Sequence, residues 1–353
     1  MRKLQILALT LCAVALLGGC GGSTYSAGVS GSGPYTDSLA KSINDSGFAV
    51  GYSAGATVTA HAVLFVPSGQ TAPASYSVTD LGTLGGTTAN ATAISPSGKV
   101  TGWSSDGISS THAFLYTNGS MTDLGVIQGD NVSVGLSVND SGMVVGQSGN
   151  TFASTGQAII YTPGSGLHHI DPPAQTSAAV ATGINASGAI VGVYLDSQNR
   201  YAAFACDQSL VTVDMGSPAI KAYPHAINDN AYVVGDTSPT GGWWYQETIG
   251  YTALPNHGGS SGTQLTGIND HNVMVGSDLI DGHSHAVSYT LAGVETDLGV
   301  LGGNPRIVDL NARISSADQQ TYGTITEATG ISASGQICCN TQNGRAVLLT
   351  PSP

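Results

Sequence analysis

The sequence repeats one pattern of apolar and polar positions along its length. An apolar residue is followed by Asn or Ser, then by a polar turn that usually ends in Gly, and then by a second apolar run. The copies begin at Ile43, Ile94, Val138, Ile184, Ile227, Ile268 and Ile331, at spacings of 41 to 63 residues. Recurrence at this period is typical of repeat architectures. The pattern therefore predicts seven structural repeats.

Further apolar landmarks follow the turn, and copy five matches them least well, with Trp243-Trp244-Tyr245 in place of the first. The first is a short run: HAVLF from His61, HAFLY from His112, QAIIY from Gln157, YAAFA from Tyr201, HAVSY from His285 and RAVLL from Arg345. A later run ends near Asp-Leu-Gly, as in VTDLG from Val78 and ETDLG from Glu295. Asn, Asp and Gly between runs rich in Val, Ile and aromatic residues favour hairpins. Each repeat thus predicts four short antiparallel strands, apolar on both faces as in a sheet packed between neighbouring sheets.

Four-stranded units at this period predict an all-β fold, namely a seven-bladed β-propeller of four-stranded antiparallel blades. The last repeat stops after its third strand, and Tyr35–Leu39 resembles the missing fourth strand. An N-terminal strand completing the last blade would close the ring and remove its open edges. The propeller is assigned to residues 35–353, with an insertion loop at about 304–324 where the repeat spacing is longest.

The N-terminus has the features of an export signal. Arg2 and Lys3 precede an apolar run that is too short to span a bilayer and has the flanks of a signal peptide. The sequence Leu-Gly-Gly before Cys20 resembles the bacterial lipobox, in which the signal is removed and the cysteine is acylated. An ordinary signal peptide or an uncleaved anchor are the alternatives.

Residues 1–19 are therefore predicted to be a lipoprotein signal peptide, and residues 20–34 a flexible Gly/Ser-rich tether with a lipidated Cys20. Gly21 follows the cysteine, and by resemblance to known sorting rules this favours an outer-membrane lipoprotein, exposed to the periplasm or at the cell surface. Membrane attachment through this lipid and a monomeric state are expected.

Composition and charge narrow the class of partner. The chain of 353 residues is 41% hydrophobic and only 9% charged, which favours a folded chain over a disordered one. Its formal net charge is −13 and becomes more negative when the two basic residues of the signal are removed. This excess of acid argues against nucleic acid as a partner. Outside the signal and the lipobox, the cysteines are Cys206, Cys338 and Cys339, as buried thiols or with a vicinal disulfide.

The HAFLY, MTDLG and INDSG motifs resemble the extracellular HAF repeat, named for His-Ala-Phe. The C-terminal segments VDLNARISS and ITEATGISASGQI are also similar to the way such proteins end. The resemblance covers essentially the whole mature chain and implies export and a propeller-like fold. It implies no reaction, so no catalytic residue is assigned. The sequence departs from the pattern at Cys338-Cys339, where Val-Gly is expected, and at Trp243-Trp244.

Three groups of side chains are candidates for binding. Trp243, Trp244, Tyr245 and Tyr251 form either the core of the fifth blade or a stacking platform for a glycan. Asp281, His283 and His285 form a candidate metal site, because residues two apart on a strand share a face; a structural hydrogen bond is the alternative. The aspartates of the repeated turns, Asp45, Asp140, Asp229 and Asp270, fit turn capping better than calcium binding, so no cofactor is expected.

The predicted function is that of a non-catalytic cell-envelope lipoprotein whose rigid propeller scaffold binds a protein or a glycan of the envelope. The alternative is a propeller enzyme that acts on polysaccharide or lactone substrates. Such an enzyme would need acidic, His or Arg side chains gathered at one channel, whereas the three Glu residues and five Arg residues are scattered.

Overall fold

The computed structural model describes residues 24–25, 37–54, 59–68, 75–151, 156–174, 176, 178–216, 222–237, 241–254, 263–280, 283–291, 308–309, 324–342 and 344–349. Every regular element in these residues is a β-strand, which confirms the all-β prediction. Within the same ranges, no helix has the length and apolar character needed to cross a membrane.

The strands follow the repeats along the chain. They are β1 (Thr24–Tyr25), β2 (Asp37–Ile43), β3 (Ala49–Ala54), β4 (His61–Ser68), β5 (Ser75–Gly82), β6 (Ala89–Ile94), β7 (Val100–Ser105), β8 (Thr111–Thr117), β9 (Ser120–Asp123), β10 (Val132–Val138), β11 (Val144–Gly149), β12 (Gln157–Thr162), β13 (Gly166–His169), β14 (Ala179–Ile184), β15 (Ile190–Leu195), β16 (Tyr201–Cys206), β17 (Val213–Asp214), β18 (Tyr223–Ile227), β19 (Val233–Thr237), β20 (Gly241–Gln246), β21 (Gly250–Ala253), β22 (Gln264–Ile268), β23 (Val273–Ile280), β24 (His283–Thr290), β25 (Val308–Asp309), β26 (Ile325–Ile331), β27 (Ile337–Thr341) and β28 (Ala346–Leu349).

These strands form antiparallel units of four, and within a unit each strand pairs with the next along the chain, except that β1 pairs with β28. Units 1 to 6 are β2–β5, β6–β9, β10–β13, β14–β17, β18–β21 and β22–β25; unit 7 is β26–β28 with β1. A single parallel pair, Val132 with Thr111, joins units 2 and 3 into one eight-stranded sheet. The prediction of four antiparallel strands per repeat is confirmed.

The first strand of each unit carries a β-bulge against the second strand. The bulged residue lies two positions before the apolar residue that opens the turn. These residues are Lys41, Thr92, Leu136, Thr182, His225, Thr266 and Thr329. A bulge redirects a side chain out of the regular alternation of a strand, so this position can contact the neighbouring unit.

The core lies between successive units, and the two faces of a strand belong to different parts of it. Val233 packs with unit 4 residues such as Val191, whereas the adjacent Val234 packs with Leu265 of unit 6. One further cluster contains buried residues of unit 7 together with Ala40 and Phe65 of unit 1. The runs that are apolar on both faces therefore form the hydrophobic core between neighbouring sheets, as the sequence indicates.

Two strand assignments differ from those of the sequence. The strand paired with Leu348 and Leu349 is Thr24–Tyr25, inside the segment assigned to the tether, and not Tyr35–Leu39. Asp37–Ile43 instead forms the first strand of unit 1, because its buried Ser38 and Ala40 belong to that unit's pairing with β3.

The second difference concerns the fourth strand of unit 6. Val308–Asp309 pairs with β24 there, although these residues lie within the range predicted as an insertion loop. The ETDLG run from Glu295 and the rest of that insertion up to residue 323 lie outside the described residues.

Candidate functional site

The seven repeated turns share one local geometry. In unit 4 the Asn185 side-chain oxygen accepts hydrogen bonds from the Ala189 backbone N–H and the Ser187 hydroxyl, both at 2.8 Å. Ser95 replaces Asn in unit 2, and its hydroxyl oxygen accepts the Lys99 N–H at 3.2 Å. The first polar residue of each turn therefore caps its own turn, which is the ordinary use of Asn and Ser in such positions.

The Asn side-chain amide also reaches the next unit. Its Nδ2 donates to a backbone carbonyl at the first polar position of the following turn. The bonds are Asn44 to Ser95 (3.3 Å), Asn139 to Asn185 (3.2 Å), Asn185 to Asn228 (3.1 Å), Asn228 to Asn269 (2.8 Å) and Asn269 to Ser332 (2.9 Å). These bonds connect units that are neighbours in sequence.

The turn aspartates bond in the opposite direction. Each Asp Oδ1 accepts a backbone N–H from the turn of the preceding unit: Asp140 from Ser97, Asp229 from Ala186, Asp270 from Asp229, and Asp45 from Ala333 of unit 7. The Asp residues thus cap the neighbouring turn and not their own. The Asp45 bond links the first unit to the last.

The two kinds of bond complement each other around the units. Where the donor Asn is replaced, at Ser95 and Ser332, the following unit supplies an Asp. Where the Asp is replaced, at Pro96, Ala186 and Ala333, the preceding unit supplies an Asn. Each of the seven junctions, including that of unit 7 with unit 1, therefore keeps at least one of the two bonds.

These turns and the strand ends before them line an open cavity of about 210 Å³. Three repeat positions that follow one another along the end of each first strand contribute to its lining, and they are called its inner, middle and outer layers below. The middle layer is the seven apolar residues that open the turns, and the outer layer contains the exposed carboxylates Asp45, Asp140, Asp229 and Asp270. The inner layer includes the bulged residues Leu136, Thr182 and His225. This space is called the inner-turn cavity below.

His225 is the polar residue of the inner layer that departs from the repeat. At this position Thr92, Thr182, Thr266 and Thr329 each donate a hydrogen bond to a backbone carbonyl of the next unit, or of unit 1 in the case of Thr329. His225 is 9% exposed, and its Nε2 bonds Oδ1 of the buried Asp236. Its Nδ1 is buried and has no hydrogen-bond partner among the described residues.

Sequence reasoning missed this pair, although one signal could have found it. The position two residues before the turn-opening Ile or Val is Thr in four of the seven copies. His225 and Lys41 are the ionisable exceptions there, and both are buried. Asp236 lies after the VVG run in a different strand, so its proximity to His225 is a property of the sheet and not of local sequence.

The HAF histidines lie at the other end of the strands from the turns. His61 Nδ1 is 2.9 Å from Asp80 Oδ2, and His112 Nδ1 is 2.9 Å from Asp123. The same aspartates accept the N–H of the Gly two residues later, at Gly82 and Gly125. The histidine of the HAF motif and the aspartate of the Asp-Leu-Gly motif are therefore hydrogen-bonded to each other within one sheet, which is a structural role.

The candidate aromatic residues are divided between two sides of β20. Trp243 is 1% exposed and packs between units 4 and 5, with its ring centroid 5.0 Å from that of Tyr251 and Tyr245 nearby. Trp244 is on the other side, against Tyr232 and the core shared with unit 6. The four rings do not lie together on one face, because successive residues of a strand point to opposite sides.

For the candidate metal site, His283 and His285 lie on β24, whereas Asp281 lies outside the described residues. In the part of the chain that the structure describes, no three His, Cys, Asp or Glu side chains are grouped as metal ligands. Cys206, Cys338 and Cys339 are buried free thiols. Burial raises the pKa of the Cys206 thiol to about 12, which makes it a poor nucleophile.

No family model matches the sequence, and no curated protein matches it. Among solved structures, the chain is similar to TolB from Acinetobacter baumannii, at 9% identity and a TM-score of 0.45 over 73% of this chain and 62% of that one. It is similar to a gluconolactonase from Xanthomonas campestris (10%, 0.40, 72% and 93%) and to Aleuria aurantia lectin in complex with Fucα1-6GlcNAc (10%, 0.40, 80% and 99%). The chain thus spans less than two thirds of the TolB chain.

Proposed function

We propose that the chain is a closed seven-bladed β-propeller of the extracellular HAF-repeat type that acts as a non-catalytic binding scaffold in the cell envelope. The observation that carries the proposal is the set of bonds between unit 7 and unit 1. The Ala40 N–H donates to Asn340 Oδ1 at 3.1 Å, and the Thr329 hydroxyl donates to the Ala40 carbonyl at 3.1 Å. Units at the two ends of the chain are joined by the same kind of contact as sequential units.

The use of the repeated residues supports a scaffold. The turn Asn and Asp, the bulged Thr, and the HAF His with its Asp all bond to other parts of the fold. Side chains that form hydrogen bonds within the fold stabilise a rigid scaffold. Binding residues are found in loops on such a scaffold, and at positions where a copy differs from the repeat pattern. Trp244 and His225 are such departures.

The second part of the proposal is that a lipid anchors the chain to the membrane. Lipid on Cys20 would place the scaffold at the outer membrane, where its partner is a protein or glycan of the envelope. The formal charge of −13 favours a partner that carries cationic or neutral groups at the contact. The chain would then present its units to the envelope without crossing the bilayer.

The test combines location and binding. Cells that express the full chain are labelled with a radioactive fatty acid, and their membranes are separated into inner and outer fractions. Label on the protein in the outer fraction, lost in Cys20→Ser, is the expected result. Unlabelled protein in the soluble fraction would overturn the anchoring.

For binding, the purified chain is melted in the presence of fragments of envelope glycans. A ligand at a hundred times its dissociation constant adds about 2.7 kcal/mol, so a rise in Tm is expected. Trp244→Ala should lose this rise, and Tyr116→Ala in unit 2 is the matched aromatic control. A rise that is equal in both variants would exclude the unit 5 aromatic residues as the glycan site.

A further inference from the structure

Lys41 is a buried amine at the place where the first and last units meet. It is the bulged residue in the first strand of unit 1, and four of the other units have Thr at this position. The residue is only 2% exposed. Burial of a charged ammonium group is costly unless the group is paired, so the repeat pattern alone does not explain a lysine here.

The side-chain amide of Asn340 is held against the residue that precedes Lys41. Its Oδ1 accepts the Ala40 N–H at 3.1 Å, and its Nδ2 donates to the Ala40 carbonyl at 3.2 Å. Across a trans peptide the Lys41 Cα lies about 3 Å from that carbonyl oxygen, which places it at most about 6 Å from Asn340 Nδ2. The four-carbon stem of a lysine is long enough to bring its Nζ to this amide.

Glu327 is the third member of the group. It is the cross-strand neighbour of Asn340, and its Oε2 accepts an N–H of the Asn340 amide at 3.2 Å. Burial raises the pKa of the Glu327 carboxyl, whereas the Asn340 hydrogen bond and the charge of Lys41 lower it. A charge has such an effect only at short range. An amine, a carboxamide and a carboxyl group thus come together between β2, β26 and β27, away from the lining of the inner-turn cavity.

These groups have the positions needed to transfer an acyl group from the amide nitrogen to the lysine nitrogen. An amine attacks a carbonyl carbon in its neutral form, and burial favours the neutral forms of amines and carboxylic acids. The Ala40 N–H already donates to Asn340 Oδ1, the atom on which negative charge develops during the attack. The Glu327 carboxyl already contacts Nδ2, the atom that must be protonated to leave. Reactants held together in this way react far faster than the same groups free in solution.

From this arrangement we infer that Lys41 and Asn340 form an intramolecular isopeptide bond, which joins unit 1 covalently to unit 7. Glu327 first takes a proton from the Lys41 ammonium group, and the neutral Nζ then attacks Cγ of Asn340. The Cγ–Nδ2 bond breaks as Glu327 gives a proton to Nδ2 and takes one from the attacking nitrogen. The products are a secondary amide, one molecule of ammonia and a protonated Glu327, so the reaction needs no further reactant.

The bond keeps the first and last units joined even when the strands unfold, which hydrogen bonds do not. Ala40 and Asn340 are 300 residues apart in sequence. The inference rests on the contact between units 7 and 1 that carries the proposed closed propeller, and not on the lipid or on an envelope partner. Loss of the Lys41 charge removes one of the two effects that lower the pKa of Glu327, so the carboxyl keeps its raised pKa.

Mass spectrometry of the purified full chain tests the bond. The chain is denatured and digested with trypsin and chymotrypsin, which cut after Lys or Arg and after large apolar residues. We expect a branched peptide that joins residues 40–48 to residues 323–345 and that is lighter than the two separate peptides together by one molecule of ammonia. Trypsin does not cut after a lysine whose amine is acylated, whereas Lys99 in the same digest should be cut. Complete cutting after Lys41, together with a linear peptide 323–345, would overturn the inference.

Two variants test the roles of the residues. Lys41→Arg keeps the positive charge but has no primary amine, and it should give only linear peptides. Glu327→Gln keeps a hydrogen-bond acceptor for Asn340 but cannot carry the proton, so the yield of branched peptide from freshly purified protein should fall at least about ten-fold. Glu247→Gln removes an exposed carboxyl in unit 5 and is the matched control, with an unchanged yield. A native yield in Glu327→Gln would overturn the assignment of Glu327 as the proton carrier.

A cysteine pair separates failure of the bond from failure of the closed ring. The Ala333 N–H donates to Asp45 Oδ1 across the same junction, so Asp45→Cys with Ala333→Cys should form a disulfide on mild oxidation. This disulfide, without a branched peptide from the native chain, would overturn the isopeptide bond and leave the closed propeller standing. Absence of both would overturn the closed propeller as well. Because the native chain is measured directly, misfolding of a variant does not change the answer.

Discussion

The turn asparagine has two functions that a single amide makes possible. Its oxygen accepts N–H groups of its own turn, and its nitrogen donates to the next unit, as in Asn139, where Oδ1 accepts the Met143 N–H at 3.1 Å. Serine can perform only the first function, as Ser95 does. The side chain at this position therefore decides whether a turn is capped alone or is also joined to its neighbour.

This difference leads to a prediction about two otherwise equivalent residues. Asn185→Ser loses its bond to Asn228 but leaves the Ala186 N–H bonded to Asp229 across the same junction, and should cost about 1 kcal/mol. Asn139→Ser removes the one bond of the two kinds that joins the turns of units 3 and 4, and should cost about 2 kcal/mol or more. Urea unfolding followed by circular dichroism measures both.

A compensating substitution provides the control. Ala186→Asp supplies the missing acceptor for the Asp140 N–H, by analogy with Asp270 and the Asp229 N–H. Added to Asn139→Ser it should restore most of the lost stability, whereas added to Asn185→Ser it should not. Equal costs for the two serine variants, or no rescue, would show that the inter-unit bonds contribute little.

The sequence predicts these turns but not their partners. Repeated Asn, Asp and Gly identify the turn positions from local rules alone. The recurrence of the aspartates indicates turn capping but not which turn each one caps, and Asp140 and Asp229 cap the turn of the preceding unit. Their acceptor bonds span 43 residues of chain, and no local pattern reports a contact at that distance.

At the scale of the strand, the glycine after the second apolar run is fixed by a close approach. A Cβ on Gly146 would lie 1.9 Å from the Val134 carbonyl oxygen, and one on Gly51 would lie 1.9 Å from that of Leu39. The backbone of the first strand lies unusually close to the second strand here, next to its bulge. Unit 7 has Cys339 at this position, and its first strand has an additional register shift, between Ile325 and Glu327. Unit 7, which has a side chain in place of this glycine, is thus also the unit whose first strand has two register shifts.

We therefore predict opposite tolerance at equivalent positions. Gly146→Ala forces the first strand of unit 3 away from the second and should cost about 3 kcal/mol, at the upper end of overpacking. Cys339→Ala keeps the existing Cβ and should cost only about 1 kcal/mol for the lost sulfur contacts. Thermal unfolding of the two variants measures the difference, and a similar Tm for both would contradict the steric explanation.

The fourth strands are the elements that sequence predicts least well. In unit 6 the sequence predicts this strand at the Asp-Leu-Gly run from Glu295, which lies outside the described residues, and Val308–Asp309 pairs with β24. This pairing depends on contacts between segments that are distant in the chain, which sequence does not show. The fourth strands are also short, as in β17 and β25, so only a few residues of the sequence indicate where each one lies.

At the scale of the molecule, the junction of units 7 and 1 contains a partly buried carboxyl group, that of Glu327. Burial raises the pKa of the Glu327 carboxyl above its ordinary value of 4.5, although a hydrogen bond from Asn340 and the positive charge of Lys41 oppose the shift. Lys41 itself is only 2% exposed. The folded chain therefore binds a proton at Glu327 more tightly than the unfolded chain does.

The sign of the pH dependence follows from this raised pKa. The stabilisation is fully present below the unfolded value of about 4.5 and is lost as the pH rises through the folded value. The free energy of unfolding of the native chain should therefore fall over that interval relative to Glu327→Gln, which has no such titration. Urea unfolding at a series of pH values measures the difference between the two proteins. A difference that is constant with pH would contradict the prediction.

The number and order of units were predictable from sequence because each unit carries its own turn. The antiparallel pairing within units was predictable for the same reason, since hairpins join residues that are close in the chain. The sequence predicts that an N-terminal strand pairs with the last strand, but it places that strand at Tyr35–Leu39, whereas Thr24–Tyr25 pairs with β28. The layered cavity was not predictable, because it arises only when seven equivalent positions from distant segments converge.

The complementary bonds at the turns have a consequence for how the repeats can diverge. Because either the Asn of one turn or the Asp of the next is enough to join a pair, loss of one is tolerated only while the other is kept. Substitutions in related chains should therefore covary across repeat boundaries, between the first polar position of one copy and the second polar position of the following copy. Selection would then act on the boundary between two copies. A sequence profile that scores each copy separately would not detect this covariation.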